Sequence, residues 1–239
     1  MTDLLFRTDP YQAEAEAVVV AHTPEGAIVL DRTVFYPTGG GQPGDSGHLL
    51  WQDKALPIAT TVKLGPEKVG LVAAIPAEMP AVGAMVRQVL DWPRRHRHMR
   101  VHTALHLLSV VIPLPVTGGQ ITAEKGRLDF AMPDAPQDMQ AVEDALNRLI
   151  DSDLPVTESW ISEEELLANP GLVKTMSVMP PMGAGRVRLV RIGHATRQVD
   201  LQPCGGTHVA RTSEIGRVAL GKVENKGRQN RRVSLSLVE

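Results

Sequence analysis

With 239 residues, 43% of them hydrophobic and 22% charged, the chain is long enough for one large domain or two small ones, with the balance of an ordinary globular protein. No window approaches the roughly 18 apolar residues of a membrane span. The opening MTDLLFRTDPYQ lacks the charged-then-apolar pattern of a secretory leader, and a single cysteine excludes an intramolecular disulfide. The net charge of −2 is unevenly spread: −4 over residues 1–90, +3 over 91–132, −9 over 133–165 and +8 over 166–239. A cytoplasmic location without a membrane partner is expected, and no obligate protein partner is evident.

Residues 15–90 read as short β-branched runs, AEAVVVAHT, GAIVLDRTVF, HLLW, LPIATTVKL, GLVAAI and AMVRQVLDW, punctuated by Gly and Pro. Six short strands without a convincing helix suggest a small antiparallel barrel. Aromatics are only 3% of the chain, so its core must be aliphatic. At Asp91-Trp92-Pro93 the pattern changes to a helix start, a capping carboxylate followed by an early proline, and 94–112 reads as helix until Pro113 and Pro115. Strand character returns over 120–132. A second helix is expected at 134–151, capped by Asp134, with Met139, Val142, Leu146, Leu149 and Ile150 on one face. Ser162 and Glu165 form a capping-box pattern for a short third helix. RVRLVRIG, TRQVDLQ, GRVALGKVE and RRVSLSLV then alternate as strands. The expectation is an α+β chain: a β-barrel domain over 1–90 and an α+β domain over 91–239.

Two histidine-containing pairs carry the chemistry. His102 and His106 lie four residues apart on the first helix, on one face and one turn apart. Cys204 and His208 flank Gly205, Gly206 and Thr207, where two glycines let a loop turn both side chains toward one point. One thiolate and three imidazoles suit one tetrahedral Zn²⁺ per chain. The residues between the helix histidines are Thr103, Ala104 and Leu105, so the HExxH glutamate of metalloproteases is absent and peptide hydrolysis is disfavoured. Whether zinc would activate water, polarise a carbonyl or position a substrate stays open. The basic clusters RRHRHMR (94–100) and KGRQNRR (226–232) are candidate phosphate contacts.

HTALHLL at 102–108, KGRLDF at 125–130, MPPMG at 179–183, VDLQPCGGTHV with EIG at 199–216, VENKGRQNRR at 223–232 and FYPTGGGQPGDSG at 35–47 together resemble the freestanding alanyl-tRNA editing proteins. These are relatives of the editing domain of alanyl-tRNA synthetase and, more distantly, of threonyl-tRNA synthetase. The resemblance covers nearly the whole chain. It implies a translation-factor-like antiparallel barrel followed by a zinc-containing editing domain, with His102, His106, Cys204 and His208 as metal ligands acting in catalysis through zinc. It further implies a trans-acting, ATP-independent hydrolysis of the ester of tRNA(Ala) mischarged with serine, and in some members glycine. Nothing in the chain resembles a class II aminoacylation domain. By the same resemblance, Gly39, Gly40, Gly41, Gln42 and Asp45 face the substrate, and Thr117, in VTGGQ just before a predicted strand, contacts the seryl hydroxyl. Arg94, Arg95, Arg228, Arg231 and Arg232 are the expected tRNA contacts, and the cleft between barrel and editing domain the expected entry. A different aminoacyl-tRNA or small ester as substrate, or a non-catalytic RNA-binding module with structural zinc, are the competing readings.

Overall fold

The computed structural model describes residues 2–174 and 185–238; the MPPMG stretch at 179–183 lies outside them. The chain forms two compact units, 1–96 and 97–239.

The first unit contains β1 (Asp3–Leu4), β2 (Glu14–His22), β3 (Ile28–Leu30), β4 (Arg32–Thr33), β5 (Gly47–Trp51), β6 (Lys54–Gly65), β7 (Lys68–Ala73) and β8 (Met85–Leu90). Six of these close into a barrel in the order β2-β3-β7-β6-β5-β8, every pairing antiparallel. Alternation explains the core: Ala17 and Val19, Leu49 and Trp51, Leu56 and Ile58, Val69 and Leu71 point inward at period two. The run expected as one strand over 26–35 is broken at Asp31. The Asp31 carboxylate accepts from the Val18 amide at 2.7 Å, ending the barrel strand, and residues 32–33 pair instead with β1 in parallel.

The glycine-rich segment is more structural than its sequence suggests. Gly40 (φ 57°) and Gly41 (φ 84°) are the two central residues of a turn closed by reciprocal backbone bonds between Gly39 and Gln42. Positive φ at both centres is the type I′ signature, which glycine meets without strain. Within that turn only Gly40 and Gly41 are exposed; Gln42 and, further on, Asp45 are about 1% exposed. Asp45 is bound within the barrel: it accepts from the Tyr36 amide at 2.6 Å and forms a bidentate pair with Arg95, which is itself fully buried. Arg95 also donates to the carbonyls of Val34 (2.6 Å) and Pro10 (2.9 Å). Two expectations are thereby corrected. Arg95 is not a phosphate contact and Asp45 is not a substrate contact, because each neutralises the other out of water.

Next come α1 (Trp92–Val111), β9 (Val116–Ile121), β10 (Lys125–Ala131), α2 (Met139–Asp151), β11 (Val156–Ser162), α3 (Glu163–Ala168), β12 (Arg186–His194), β13 (Arg197–Pro203), β14 (Val218–Leu220), β15 (Glu224–Asn225) and β16 (Asn230–Leu237). Asp91 caps α1 through the Arg94 amide. One antiparallel sheet runs β14-β16-β10-β9, with β15 on β16, and a second runs β11-β12-β13. Residues 101–109 of α1 are all buried. The helix approaches β10 so closely that a Cβ at Gly126 would lie 2.7 Å from Val101 Cγ1.

Three details differ from the sequence expectation. α2 begins at 139 and is capped by Asp138, which accepts from the Ala141 amide at 2.9 Å, not by Asp134; Pro136 lies between the two. Strand β11 was not expected at all. Thr117 sits within strand β9 rather than just before a strand, with its hydroxyl 3.1 Å from both the Asp129 carbonyl and Asn230 Oδ1. The third helix has the full Ser162–Glu165 capping box.

Candidate metal centre

The geometry brings the two histidine-containing pairs together. Candidate donor atoms of His102, His106, Cys204 and His208 all lie within 4.8 Å of one another. Cys204 Sγ is 3.5 Å from His102 Nε2 and 3.2 Å from His208 Nε2. Tetrahedral zinc with Zn–N near 2.0 Å and Zn–S near 2.3 Å separates its donors by roughly 3.3–3.6 Å. The cluster is therefore of the size one ion needs, and its donor set is chemically suitable.

The surroundings prepare three of the four donors. His106 Nδ1 is 3.0 Å from Asp200 Oδ2, and the buried carboxylate also accepts from Gln202 Nε2 (2.8 Å) and Lys174 Nζ (2.5 Å). Such a carboxylate fixes the proton on Nδ1 and aims Nε2 inward. The Thr103 hydroxyl donates to the Met99 carbonyl at 2.9 Å and so accepts from His208 Nδ1 at 3.1 Å, selecting the same tautomer there. Arg188, 5% exposed, holds the loop of Cys204: its Nη1 donates to the carbonyls of Cys204 (2.9 Å) and Gly206 (2.8 Å). Its other edge makes a bidentate pair with Glu158, Nε to Oε2 at 2.8 Å. The Arg188 carbonyl accepts from the Cys204 amide at 3.1 Å, so one residue fixes both sides of the cysteine.

The electrostatics follow. Burial opposes a thiolate, but the neighbouring imidazoles, His102 foremost through its charge and its hydrogen bond, outweigh it and hold the Cys204 thiol well below its ordinary range. Burial, then the charge of His102, keeps His208 well below the ordinary imidazole value. A thiolate beside a neutral imidazole is the ligand form metals require. Burial likewise opposes charge on His106, yet hydrogen bonds to Asp200 and Cys204 raise it to about 9, and the His106 and Lys174 contacts bring Asp200 to about 2 despite burial. A cation binding at His106 Nε2 therefore displaces a proton.

The remaining basic residues divide. Arg232 makes a bidentate pair with Asp129, at 2.7 and 3.0 Å. Arg231 donates to Asn225 Oδ1 (3.0 Å) and to the carbonyls of Gly227 (2.8 Å) and Pro133 (2.7 Å). Both pin β16 and the loop before it. Arg94, half-buried, donates to the Gly44 carbonyl at 2.9 Å. Arg228 is exposed. Sequence reasoning missed Asp200, Gln202, Lys174, Thr103, Arg188 and Glu158. A signal was present for two of them: positions 200, 202 and 204 alternate along a strand, so Asp200 and Gln202 share a face with Cys204.

Comparison with known proteins places this site in a class. The family described as "Threonyl and Alanyl tRNA synthetase second additional domain" matches residues 187–234, which contain Cys204 and His208. The family "tRNA synthetases class II (A)" matches residues 9–94. The second match lies on the segment that folds as the barrel. Fold and site thus define a synthetase-related module. Alanyl-tRNA editing protein AlaX-M of Methanosarcina acetivorans is 34% identical over 250 residues, covering 100% of both chains. AlaX-M of Saccharolobus solfataricus is 33% identical over 237 residues, covering 98% of each. Alanine--tRNA ligase of Caldivirga maquilingensis is 34% identical over 229 residues, 92% of this chain but 25% of the ligase. The chain belongs to the alanyl-tRNA editing protein family and is a hydrolase. Among the described residues, no helix is long and apolar enough to cross a membrane.

Proposed function

We propose that the chain is a trans-acting, zinc-dependent aminoacyl-tRNA deacylase. It hydrolyses the ester of serine mischarged onto tRNA(Ala), takes the glycyl ester as a second substrate and spares Ala-tRNA(Ala). The observation carrying this reading is the cluster of His102, His106, Cys204 and His208, its three histidines buried, with Asp200 and Thr103 setting the tautomers of His106 and His208. Zinc bound there supplies a Lewis acid that polarises an ester carbonyl and lowers the pKa of water. Asp200 and Thr103 orient two imidazoles, and Arg188 holds the Cys204 loop in place.

We assign the metal chemistry to residues 91–239, with Thr117 reading the seryl hydroxyl, and further substrate selection to the barrel, 1–90, through the glycine-rich segment at 39–47. A site whose polar groups hydrogen-bond that hydroxyl penalises alanine, which leaves them unpaired. Arg228 and Arg94 are the remaining candidates for phosphate contacts. Deacylation of Ser-, Gly- and Ala-tRNA(Ala) by zinc-loaded protein tests the assignment. If Ser-tRNA(Ala) decays no faster than in buffer while another charged tRNA is cleared, the substrate is wrong. If no charged tRNA is cleared, the chain is an RNA-binding module.

A further inference from the structure

The chain has eight aromatic residues, and among the described residues Trp160 on β11 is the only one whose ring lies exposed, at 41%. A solitary surface aromatic is ordinary in itself. Trp160 is set apart by what shares its face of the sheet. It pairs directly across the strands with Arg188, and cross-strand partners project to the same side. Glu158, two residues earlier, is the partner of Arg188. Val190 pairs with Gln202, and Ile192 with Asp200, so these too belong to that face. The Arg188 carbonyl is bonded to the Cys204 amide. The face that carries Asp200, Gln202 and Cys204 therefore continues through Arg188 to Trp160. Two strand spacings, roughly 10 Å, separate Trp160 from Cys204 along the backbone.

Arg186 belongs to the same face, and its guanidinium carbon lies 4.8 Å from the centre of the Trp160 ring. Cation and ring together present a flat, positively charged surface, the combination that holds unpaired bases without reading their sequence. The ester of a charged tRNA sits on the ribose of its terminal nucleotide. A base on that same ribose must lie within one nucleoside of the group that takes the ester, which is the reach from the cluster to Trp160.

We propose that Trp160, flanked by Arg186, is a stacking platform for the unpaired 3′-terminal adenine of the RNA substrate. This rests on the deacylase reading for the position of the ester, but base stacking is measurable without turnover. The probes are two labelled, uncharged RNA minihelices, one ending in CCA and one in CC, titrated by anisotropy against zinc-loaded full-length protein. Wild type is expected to bind the CCA end about tenfold or more tightly than the CC end. Trp160→Ala should abolish that preference and leave zinc content and melting temperature unchanged, and Trp160→Phe should restore much of it. In turnover, Trp160→Ala should raise KM by a similar factor and leave kcat near wild type.

A wild type indifferent to the terminal adenosine overturns the platform, as does a Trp160→Ala variant that weakens both RNAs equally. The wild-type comparison of the two ends decides the matter even if Trp160→Ala fails to fold. A protein that prefers CCA but clears no charged tRNA keeps the platform and loses the deacylase assignment. One that clears Ser-tRNA(Ala) without preferring CCA does the reverse.

Discussion

Replacing Arg95 with Met tests whether the glycine-rich segment is held by charge burial. Arg95 is fully buried and Asp45 about 1% exposed, and besides each other they satisfy the Tyr36 amide and the carbonyls of Val34 and Pro10. Removing the guanidinium leaves a carboxylate in the interior with no counter-charge. Breaking a buried pair from one side costs roughly 3–5 kcal/mol. With a urea m-value of about 1–3 kcal/mol/M, the unfolding midpoint should fall by at least roughly 1 M. Urea titration followed by circular dichroism and by tryptophan emission reads this, since Trp51 lies in the barrel core. Asp45→Asn alone should also destabilise, by leaving the guanidinium unpaired. The double variant should recover part of the loss, because neither charge is then stranded. A single Arg95→Met variant whose midpoint moves by only a few tenths of a molar unit refutes the reasoning, as does a double variant as unstable as the two single losses combined.

Asp200→Asn should weaken zinc binding by about 10–100-fold in a chelator competition, because His106 loses the carboxylate that orients it; unchanged affinity would show that the helix alone sets the ring. Arg188→Met should weaken the metal and shift the thiolate band of the cobalt-substituted protein, and Arg188→Lys should rescue it poorly, since an ammonium cannot grip two carbonyls and Glu158 together. A variant with a wild-type spectrum would mean that the Cys204 loop holds itself. Arg211 and Ser213 bring the Asp153 carboxyl down to about 2. With an unfolded value near 3.9, this lowered pKa gives a contribution present above about pH 4 and lost as pH falls towards 2. Melting temperatures of wild type and Asp153→Asn should therefore converge in acid, and a constant gap down to pH 2 would disprove the coupling. Arg228→Gln should reduce the salt slope of tRNA binding by about one contact with no change in melting temperature. Arg231→Gln should instead lower the melting temperature, because Arg231 ties Asn225 to the Gly227 and Pro133 carbonyls; equal stability of the two variants would contradict its structural role.

Much of the chain could be read from local pattern. The barrel strands announced themselves by β-branched runs between Gly and Pro, and the capping box at Ser162 by residue identity alone. The cluster at His102, His106, Cys204 and His208 was legible because helical spacing and a Gly-Gly loop each bring two donors together. Partnership between distant residues was not legible. RRHRHMR reads as a uniform basic patch, yet Arg95 and Arg94 differ entirely in fate, and only the tertiary position of Asp45 decides it. KGRQNRR divides in the same way around Asp129 and Pro133. Strand β11 escaped notice because VTESWIS mixes polar residues on both faces, as an edge strand can, so neither alternation nor an apolar run marks it.

The donors of the cluster come from opposite ends of the second half of the chain: His102 and Cys204 are 102 positions apart. A ribosome adding about 5–20 residues per second finishes the histidine pair some 5–20 s before it reaches the cysteine. Throughout that interval the nascent chain offers two imidazoles, which grip a borderline metal weakly and release it readily. On the zinc-binding reading, loading therefore waits until Cys204 and His208 have been made. A four-point attachment to an ion would close a loop of about a hundred residues, so a bound ion would act as a long-range clasp. Cells short of metal would then accumulate chains whose last fastening is undone, and their turnover by proteases would report on metal supply.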